Sequence, residues 1–237
     1  FYGESGGQIG DTGVIKFNNN EFKVLDTKKV LKIHIHYGEV EKGQFKNDQT
    51  VNLIVDKSKR EKIKIYHSAT HLFHAALRQI LGKHVTQKGS LVSFDRLRFD
   101  FSHPKPITEI DLSRIENTAN KIIKQNCKVN ISITPYKKAL EKGAMALFGE
   151  KYEDEVRVVS MGKNDNKSVF SMELCGGTHV NNTGEINNVK IVKQSSVAAG
   201  IRRIEVLNGN DLSNYIKDKK QNQIVKEKEE ENKKTKQ

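Results

Sequence analysis

The sequence predicts a mixed α+β fold with a largely antiparallel sheet, in which a small β-barrel-like module precedes an α/β domain and a helical extension. Residues 1–56 contain short strand-like runs separated by turn residues, which is typical of a small β module. The apolar period then changes to that of a helix, and the chain mixes helices with strands up to about residue 209. We therefore expect three parts, at 1–56, 57–209 and 210–237.

The N-terminal segment cannot be helical, because five glycines lie between Gly3 and Gly13. Strand-like runs follow at 14–17, 22–26, 30–37 and 50–55, with turn residues between them. These runs predict the barrel-like module. His34 and His36 alternate on one strand, and we interpret them as exposed positions rather than metal ligands.

An amphipathic helix is predicted from residue 58 to about Leu81, with Gly82 as its end. Its apolar stripe consists of Ala69, Leu72, Phe73, Ala76, Leu77 and Ile80. At about 100° per residue, the opposite side collects four polar residues: His67, His71, His74 and Arg78. These histidines therefore face either solvent or a second, polar wall of the same domain.

The rest of the chain alternates strands with short helices. Residues 88–102 predict a β-hairpin, and Thr108 is the expected N-cap of a helix over 109–126. Further strands are predicted at 129–134, 156–161, 169–174, 189–196 and 202–207, with a helical piece at 137–142 and an apolar segment at 143–149. Beyond residue 208 the chain is mostly charged, and we expect the start of a long exposed helix rather than a disordered tail.

Net charge, the length of apolar runs and the number of cysteines limit the functional classes to which this protein can belong. The net charge of +12 favours a polyanionic partner such as nucleic acid, although a lysine-rich surface of no functional meaning is an equal alternative. No apolar run approaches the roughly 20 residues that cross a bilayer. Only two cysteines occur, which excludes a disulfide scaffold and favours a reducing cytoplasm. Because the chain opens on Phe1, we expect a piece of a longer protein.

Two short motifs together predict a metal site. His67 and His71 are four residues apart and lie on one helix face. Cys175 and His179 are also four apart, and the glycines between them allow the backbone to fold tightly. Three imidazoles and a thiolate suit tetrahedral zinc. Four protein ligands are typical of a structural site, whereas a displaced His179 would leave a position for water, and the sequence leaves both open.

Five motifs in this order resemble the editing domain of bacterial alanyl-tRNA synthetase, which is related to free-standing AlaX proteins and to the editing domain of threonyl-tRNA synthetases. The motifs are Ser5-Gly6-Gly7-Gln8, His67-Ser68-Ala69-Thr70-His71, Gln87-Lys88-Gly89-Ser90, Leu97-Arg98-Phe99-Asp100-Phe101 and Cys175-Gly176-Gly177-Thr178-His179. Residues 143–152 and 200–205 are also similar to that family. The resemblance covers residue 1 to about residue 209.

The resemblance implies hydrolysis of the ester that joins a wrong amino acid, serine or glycine, to tRNA(Ala). It implies one zinc ion at the family's ligand positions, which are His67, His71, Cys175 and His179. It also implies a pocket glutamine at Gln87 and a pocket wall at Thr70. Further implied positions are a basic pair for the tRNA end, Arg202 and Arg203, and a loop near the editing site, Gly6, Gly7 and Gln8.

The same resemblance sets the expected partners. The acceptor end of tRNA(Ala) is the expected ligand, without DNA or membrane, and oligomerisation would use regions beyond residue 237. ATP and Mg²⁺ would serve only an aminoacylation region, which we expect to precede Phe1. One alternative is a zinc-stabilised tRNA-binding module without its own catalysis. A release-factor-like hydrolase, suggested by Gly6-Gly7-Gln8, is less favoured because that tripeptide alone is common.

Overall fold

The computed structural model describes residues 1–146, 152–209 and 211–217 of the chain. Three sheets and two long helices make up its framework. The first four strands are β1 (Gly13–Phe17), β2 (Asn20–Val30), β3 (Ile33–Lys42) and β4 (Asn52–Val55). They form an antiparallel sheet in the order β3-β2-β1-β4, with β3 and β4 at its edges. The N-terminal module is therefore an open sheet, not a closed barrel.

The N-terminal module is tied to the first helix, α1 (Lys57–Leu81), by a buried carboxylate. Asp11 is 1% exposed and accepts two hydrogen bonds from the guanidinium of Arg60. Asp56 caps the helix by accepting from the backbone N–H of Lys59 at 3.0 Å. The helix ends at Gly82, whose φ of +119° suits glycine best.

The main core lies between two helices and a four-stranded sheet. The helix α1 packs on α2 (Glu109–Lys124), which Thr108 caps through the backbone N–H of Asp111. The sheet contains β5 (Gln87–Val92), β6 (Leu97–Ser102), β10 (Val189–Ala198) and β11 (Ile201–Asn208), in the order β10-β11-β6-β5. Large apolar side chains from each layer, such as Phe73, Phe99 and Ile204, are completely buried, which is where the hydrophobic stabilisation concentrates.

A smaller sheet leads into the second of the two motifs that are predicted to bind metal. It contains β7 (Asn130–Pro135), β8 (Glu155–Lys163) and β9 (Val169–Leu174), and the short helix α3 (Tyr136–Glu141) packs beside it. Each neighbouring pair is antiparallel. The chain leaves β9 directly into Cys175, so this strand delivers the cysteine to the face of α1.

The mixed α+β fold with antiparallel sheets is confirmed. The predicted helix at 58–81 matches α1 within one residue, and the predicted hairpin at 88–102 matches β5 and β6.

His34 is exposed as expected, whereas His36 is half-buried with its ring edge against Phe1. Residues 211–217 are helical, while the rest of the predicted extension and residues 147–149 of the apolar segment at 143–149 lie outside the described residues. The division into 1–56, 57–209 and 210–237 stays a prediction. Within the described part of the chain, no helix is long and apolar enough to cross a membrane.

Candidate metal centre

The two histidines of α1 face a polar wall inside the domain. His67 and His71 are each 5% exposed, and their rings stack with centroids 5.3 Å apart. The helix places them side by side because four residues make slightly more than one turn. The wall opposite them is formed by β9 and the loop from Cys175 to His179.

That loop is held in shape by an arginine and by close backbone packing. The Nη1 atom of Arg157 donates to the carbonyls of Cys175 at 2.6 Å and of Gly177 at 2.8 Å. Gly177 passes so close to His67 that a Cβ there would lie 2.0 Å from the ring. The sequence folds this way locally because only glycine permits the approach.

The four predicted ligands converge. The Cys175 sulfur lies 3.4 Å from His67 Nε2 and 3.3 Å from His179 Nε2. One ligand atom from each of His67, His71, Cys175 and His179 lies within 4.8 Å of every other. In a tetrahedral zinc site with bond lengths of about 2.0–2.3 Å, ligand atoms would be roughly 3.3–3.8 Å apart. The cluster therefore could hold a metal ion after small adjustments.

Each histidine ring is held by a different side chain through its Nδ1 atom. His67 Nδ1 lies 2.6 Å from Gln8 Oε1. His71 Nδ1 lies 2.8 Å from Glu173 Oε2, and His179 Nδ1 lies 3.1 Å from Ser68 Oγ.

These contacts leave the Nε2 atoms for a metal, which is how metal-binding histidines are usually oriented. Neither ring nitrogen of His71 has a hydrogen bond to the described residues, but Nδ1 has its ion pair with Glu173, which leaves Nε2 without a partner. An ion would supply that partner, so the residues present fit the implied metal.

The electrostatics of the cluster favour a thiolate beside histidine. Burial opposes the charge on Cys175, but His67 and His71 outweigh it and hold the pKa of the thiol well below its ordinary value. Burial and the charge of His67 lower the pKa of His179 to about 3. Burial also disfavours charge on His71, yet Glu173 and Cys175 raise the pKa of His71 to about 10.

Glu173 is the main functional residue that the sequence prediction missed. Its two carboxylate oxygens face the Nδ1 atoms of His71 and His74, and it is 5% exposed. These histidines hold the pKa of Glu173 well below its usual range despite its burial. Strand alternation could have found it, because Glu173 is two residues before Cys175 on a predicted strand. No sequence pattern marks Arg157, and Ser68 lies within the His67–His71 motif without an expected role of its own.

The loop of Gly6, Gly7 and Gln8 forms part of the site. Gln8 is completely buried, and its amide bonds both the N–H of Thr178 at 2.9 Å and the hydroxyl of Thr178 at 3.0 Å. Backbone hydrogen bonds join this loop to Val92 at the end of β5. Gln8 thus connects the N-terminal segment to both halves of the metal cluster.

A small pocket of about 90 Å³ opens beside the cluster. Thr70 and Gln87 both line it, together with His67, His71, Glu173 and Cys175. The hydroxyl of Thr70 donates to the Tyr66 carbonyl at 2.8 Å within α1, so this side chain contributes mainly a wall. The Gln87 amide donates to Ser90 Oγ at 3.3 Å, which leaves its carbonyl oxygen available to a ligand.

The structure does not bring the predicted basic pair into this pocket. Arg203 makes two 2.6 Å hydrogen bonds to the carboxylate of Asp100 on the neighbouring strand. Arg202 pairs in register with Phe101 and projects from the opposite face of the sheet. The two arginines therefore cannot contact one phosphate together in this arrangement.

Comparison with known proteins gives matches at both ends of the chain. Residues 156–205 match the family model described as "Threonyl and Alanyl tRNA synthetase second additional domain". Residues 1–59 match the model described as "tRNA synthetases class II (A)".

Two curated bacterial proteins are similar over nearly the whole chain. An alanine–tRNA ligase of Chelativorans sp. (strain BNC1) is 52% identical over 221 residues, which is 91% of this chain and 25% of that protein. An alanine–tRNA ligase of Parvibaculum lavamentivorans is 50% identical over 220 residues, again 91% of this chain and 25% of that protein. The chain thus spans about a quarter of the length of these relatives.

The close approach of Gly177 to His67 generates a prediction with a matched control. We expect Gly177→Ala to lower Zn²⁺ affinity by about 10–100-fold, because the added Cβ would displace the ring of His67. Gly176→Ala should leave affinity unchanged, since nothing lies within 4 Å of a Cβ there. Competition titration with a chromophoric chelator measures both. Equal affinities in the two variants would contradict the role of this contact.

The carboxylate of Glu173 generates a second prediction. Glu173→Gln keeps the size of the side chain but removes the charge that faces His71 and His74, so we expect Zn²⁺ affinity to fall by about 10–100-fold. Glu155→Gln, at the exposed start of β8, is the control. The same titration checks both variants, with circular dichroism to verify folding. A folded Glu173→Gln protein with unchanged affinity would refute the prediction.

Proposed function

Because this chain belongs to the alanine–tRNA ligase family, we propose that its pocket hydrolyses the ester that joins serine or glycine to tRNA(Ala). The observation that carries the proposal is the convergence of His67, His71, Cys175 and His179 beside a pocket of about 90 Å³. A pocket of this size suits a small aminoacyl group. The substrate tRNA(Ala) is inferred from the family, and the place of ester cleavage is inferred from the pocket.

We assign the metal as zinc from the chemistry of its donors. One soft thiolate with three imidazoles is a ligand set that favours zinc over hard cations such as Mg²⁺. Bound zinc supplies Lewis acidity, which polarises a carbonyl and makes water more acidic. Gln8, Ser68 and Glu173 would hold the imidazoles in the orientation that this task requires.

The residues of the chain would mainly bind and orient the ester. An aminoacyl ester is already reactive, so positioning it against water accounts for much of the required rate. Cys175 has a stabilised thiolate, but its sulfur lies within 3.4 Å of two imidazole nitrogens. This engagement supports a role as a ligand rather than as a nucleophile.

Selectivity would come from Gln87. Its carbonyl oxygen is free to accept a hydrogen bond from the hydroxyl of a seryl group, whereas Thr70 already donates its own hydroxyl to Tyr66. A hydrogen bond of this kind separates serine from alanine more strongly than shape does, since one methylene contributes roughly 1–3 kcal/mol. Arg202 remains a candidate contact to the tRNA end, while Arg203 would first have to leave Asp100.

For the whole protein we propose the aminoacylation of tRNA(Ala) with ATP and Mg²⁺, in the cytoplasm. That activity would reside outside these 237 residues, since these relatives are about four times as long as the matched region. The proofreading pocket would act on the products of that reaction.

A zinc-stabilised tRNA-binding module without catalysis is the second candidate. The observation that favours it is the presence of four protein donors, because such sites are usually structural and keep no position for water. The two candidates share the same metal and partner, so only an assay of ester cleavage separates them.

We therefore predict that the zinc-loaded chain cleaves Ser-tRNA(Ala) and Gly-tRNA(Ala) faster than Ala-tRNA(Ala). Removal of zinc with a chelator should abolish the activity, and added Zn²⁺ should restore it. Release of labelled amino acid measures each rate, with uncatalysed hydrolysis as the baseline. A chain that contains zinc and binds tRNA(Ala) but leaves all three esters at the baseline would support the non-catalytic module instead.

Gln87→Ala tests the proposed recognition of serine. We expect kcat/KM for Ser-tRNA(Ala) to fall about five- to tenfold, because one hydrogen bond contributes roughly 1 kcal/mol. The rate for Gly-tRNA(Ala) should change little, since glycine has no hydroxyl, and this substrate serves as the internal control. Equal losses on both substrates would show that Gln87 only shapes the pocket.

A further inference from the structure

A second, larger cleft of about 540 Å³ lies between α1 and β9. On the helix, Ala75 and Arg78 line it, at four and seven residues after His71, so all three share one helix face. On the strand, Ser171 lines it two residues before Glu173, and strand alternation places these two on one face. The same faces of both elements thus form the metal pocket at one end and this cleft at the other.

The cleft is positively charged. Arg78, Lys83 and Lys142 line it, and among the described residues no aspartate or glutamate does. Within residues 1–146, 152–209 and 211–217, none of the three forms an ion pair with a carboxylate. Uncompensated cations around a concave surface attract anions.

A buried hydroxyl in the wall also has no partner. Ser171 is 2% exposed, and its Oγ makes no hydrogen bond to any described residue. Buried polar atoms are usually paired, and a polar ligand in the cleft could supply the partner that this one lacks among the described residues. Phe170 and Met172, on the other face of β9, are half-buried and also line the cleft, where they provide an apolar surface that suits the flat face of a base.

We propose that this cleft binds the phosphate backbone and an adjoining base of single-stranded RNA, in the segment that leads to the ester at the metal pocket. The seven residues from His71 to Arg78 span about 10 Å along the helix, so the two sites are close enough for one strand to occupy both. Cations near the backbone with apolar side chains for a base are the usual arrangement for single strands. The identity of the RNA rests on the proposed function, whereas the binding of RNA does not.

The test compares two charge-reversed variants of the whole chain. Lys83→Glu with Lys142→Glu should weaken binding of deacylated tRNA(Ala) about tenfold and reduce the slope of log affinity against log salt by about 1.4, for two lost contacts. Lys32→Glu with Lys57→Glu changes the net charge equally, at exposed sites in the β2–β3 turn and at the first residue of α1. Fluorescence anisotropy at several salt concentrations measures both. Equal losses in the two variants would overturn the proposal.

Ser171→Ala provides a variant in which stability and binding should separate. Removing an unpaired buried hydroxyl should leave the melting temperature equal or higher, while tRNA affinity falls about threefold. Unchanged affinity in a folded Ser171→Ala protein would contradict the role of the hydroxyl.

AMP and inorganic phosphate serve as competitors. We expect them to displace tRNA only at concentrations far above the dissociation constant of tRNA. Displacement by AMP as effective as by tRNA would assign the cleft to a free nucleotide and overturn the RNA proposal.

A parallel assay of Ser-tRNA(Ala) cleavage by the wild-type chain distinguishes failure of the hydrolase proposal from failure of the RNA-binding cleft. A tenfold loss of tRNA affinity in the Lys83 and Lys142 variant, with no cleavage by wild type, would support the cleft and refute the hydrolase. Cleavage by wild type with unchanged affinity in that variant would support the hydrolase and refute the cleft.

Discussion

The metal cluster depends on the fixed orientation of its three histidine rings. Three side chains from separate parts of the chain hold the Nδ1 atoms: Gln8 from the N-terminal loop, Ser68 from α1 and Glu173 from β9. Without these contacts each ring could rotate, and the Nε2 atoms would not meet around Cys175. Because the cluster is buried, every misplaced polar atom would also lose its hydrogen bond and cost free energy. The packing of β5, β6, β9 and the N-terminal loop against α1 therefore serves the site directly.

The charge distribution of the cluster is balanced by Glu173. Four imidazoles and one thiolate in a buried space would otherwise leave charges without compensation, which is costly in a region of low polarity. Glu173 faces both His71 and His74, and its carboxylate remains ionised because of them. His74 thus belongs to the site although it is not in the four-residue cluster. Its function is to hold the carboxylate that orients His71.

The sequence predicted the elements and the four converging residues better than it predicted the contacts between them. The spacing of His67 and His71 is a local property of a helix, so it survives in any fold that keeps the helix. The bend at Gly177 is equally local. The contact of Gln8 with His67 spans 59 residues, and that of Arg157 with the Cys175 carbonyl depends on strand pairing. Likewise, the pairing of Arg203 with Asp100 follows from the register of β11 with β6, which the sequence leaves undetermined.

The site also bears on how the chain divides into parts. The family models match residues 1–59 and 156–205 separately, yet Gln8 lies in the first region and bonds Thr178 in the second while it holds His67 between them. The side chain of Gln8 is completely buried and is hydrogen-bonded to His67 Nδ1. A protein cut at the predicted boundary at residue 56 would lose this contact and expose the ring of His67. The N-terminal loop and the domain that contains the His/Cys cluster are therefore one unit with respect to the site, even though residues 1–56 form a separate sheet.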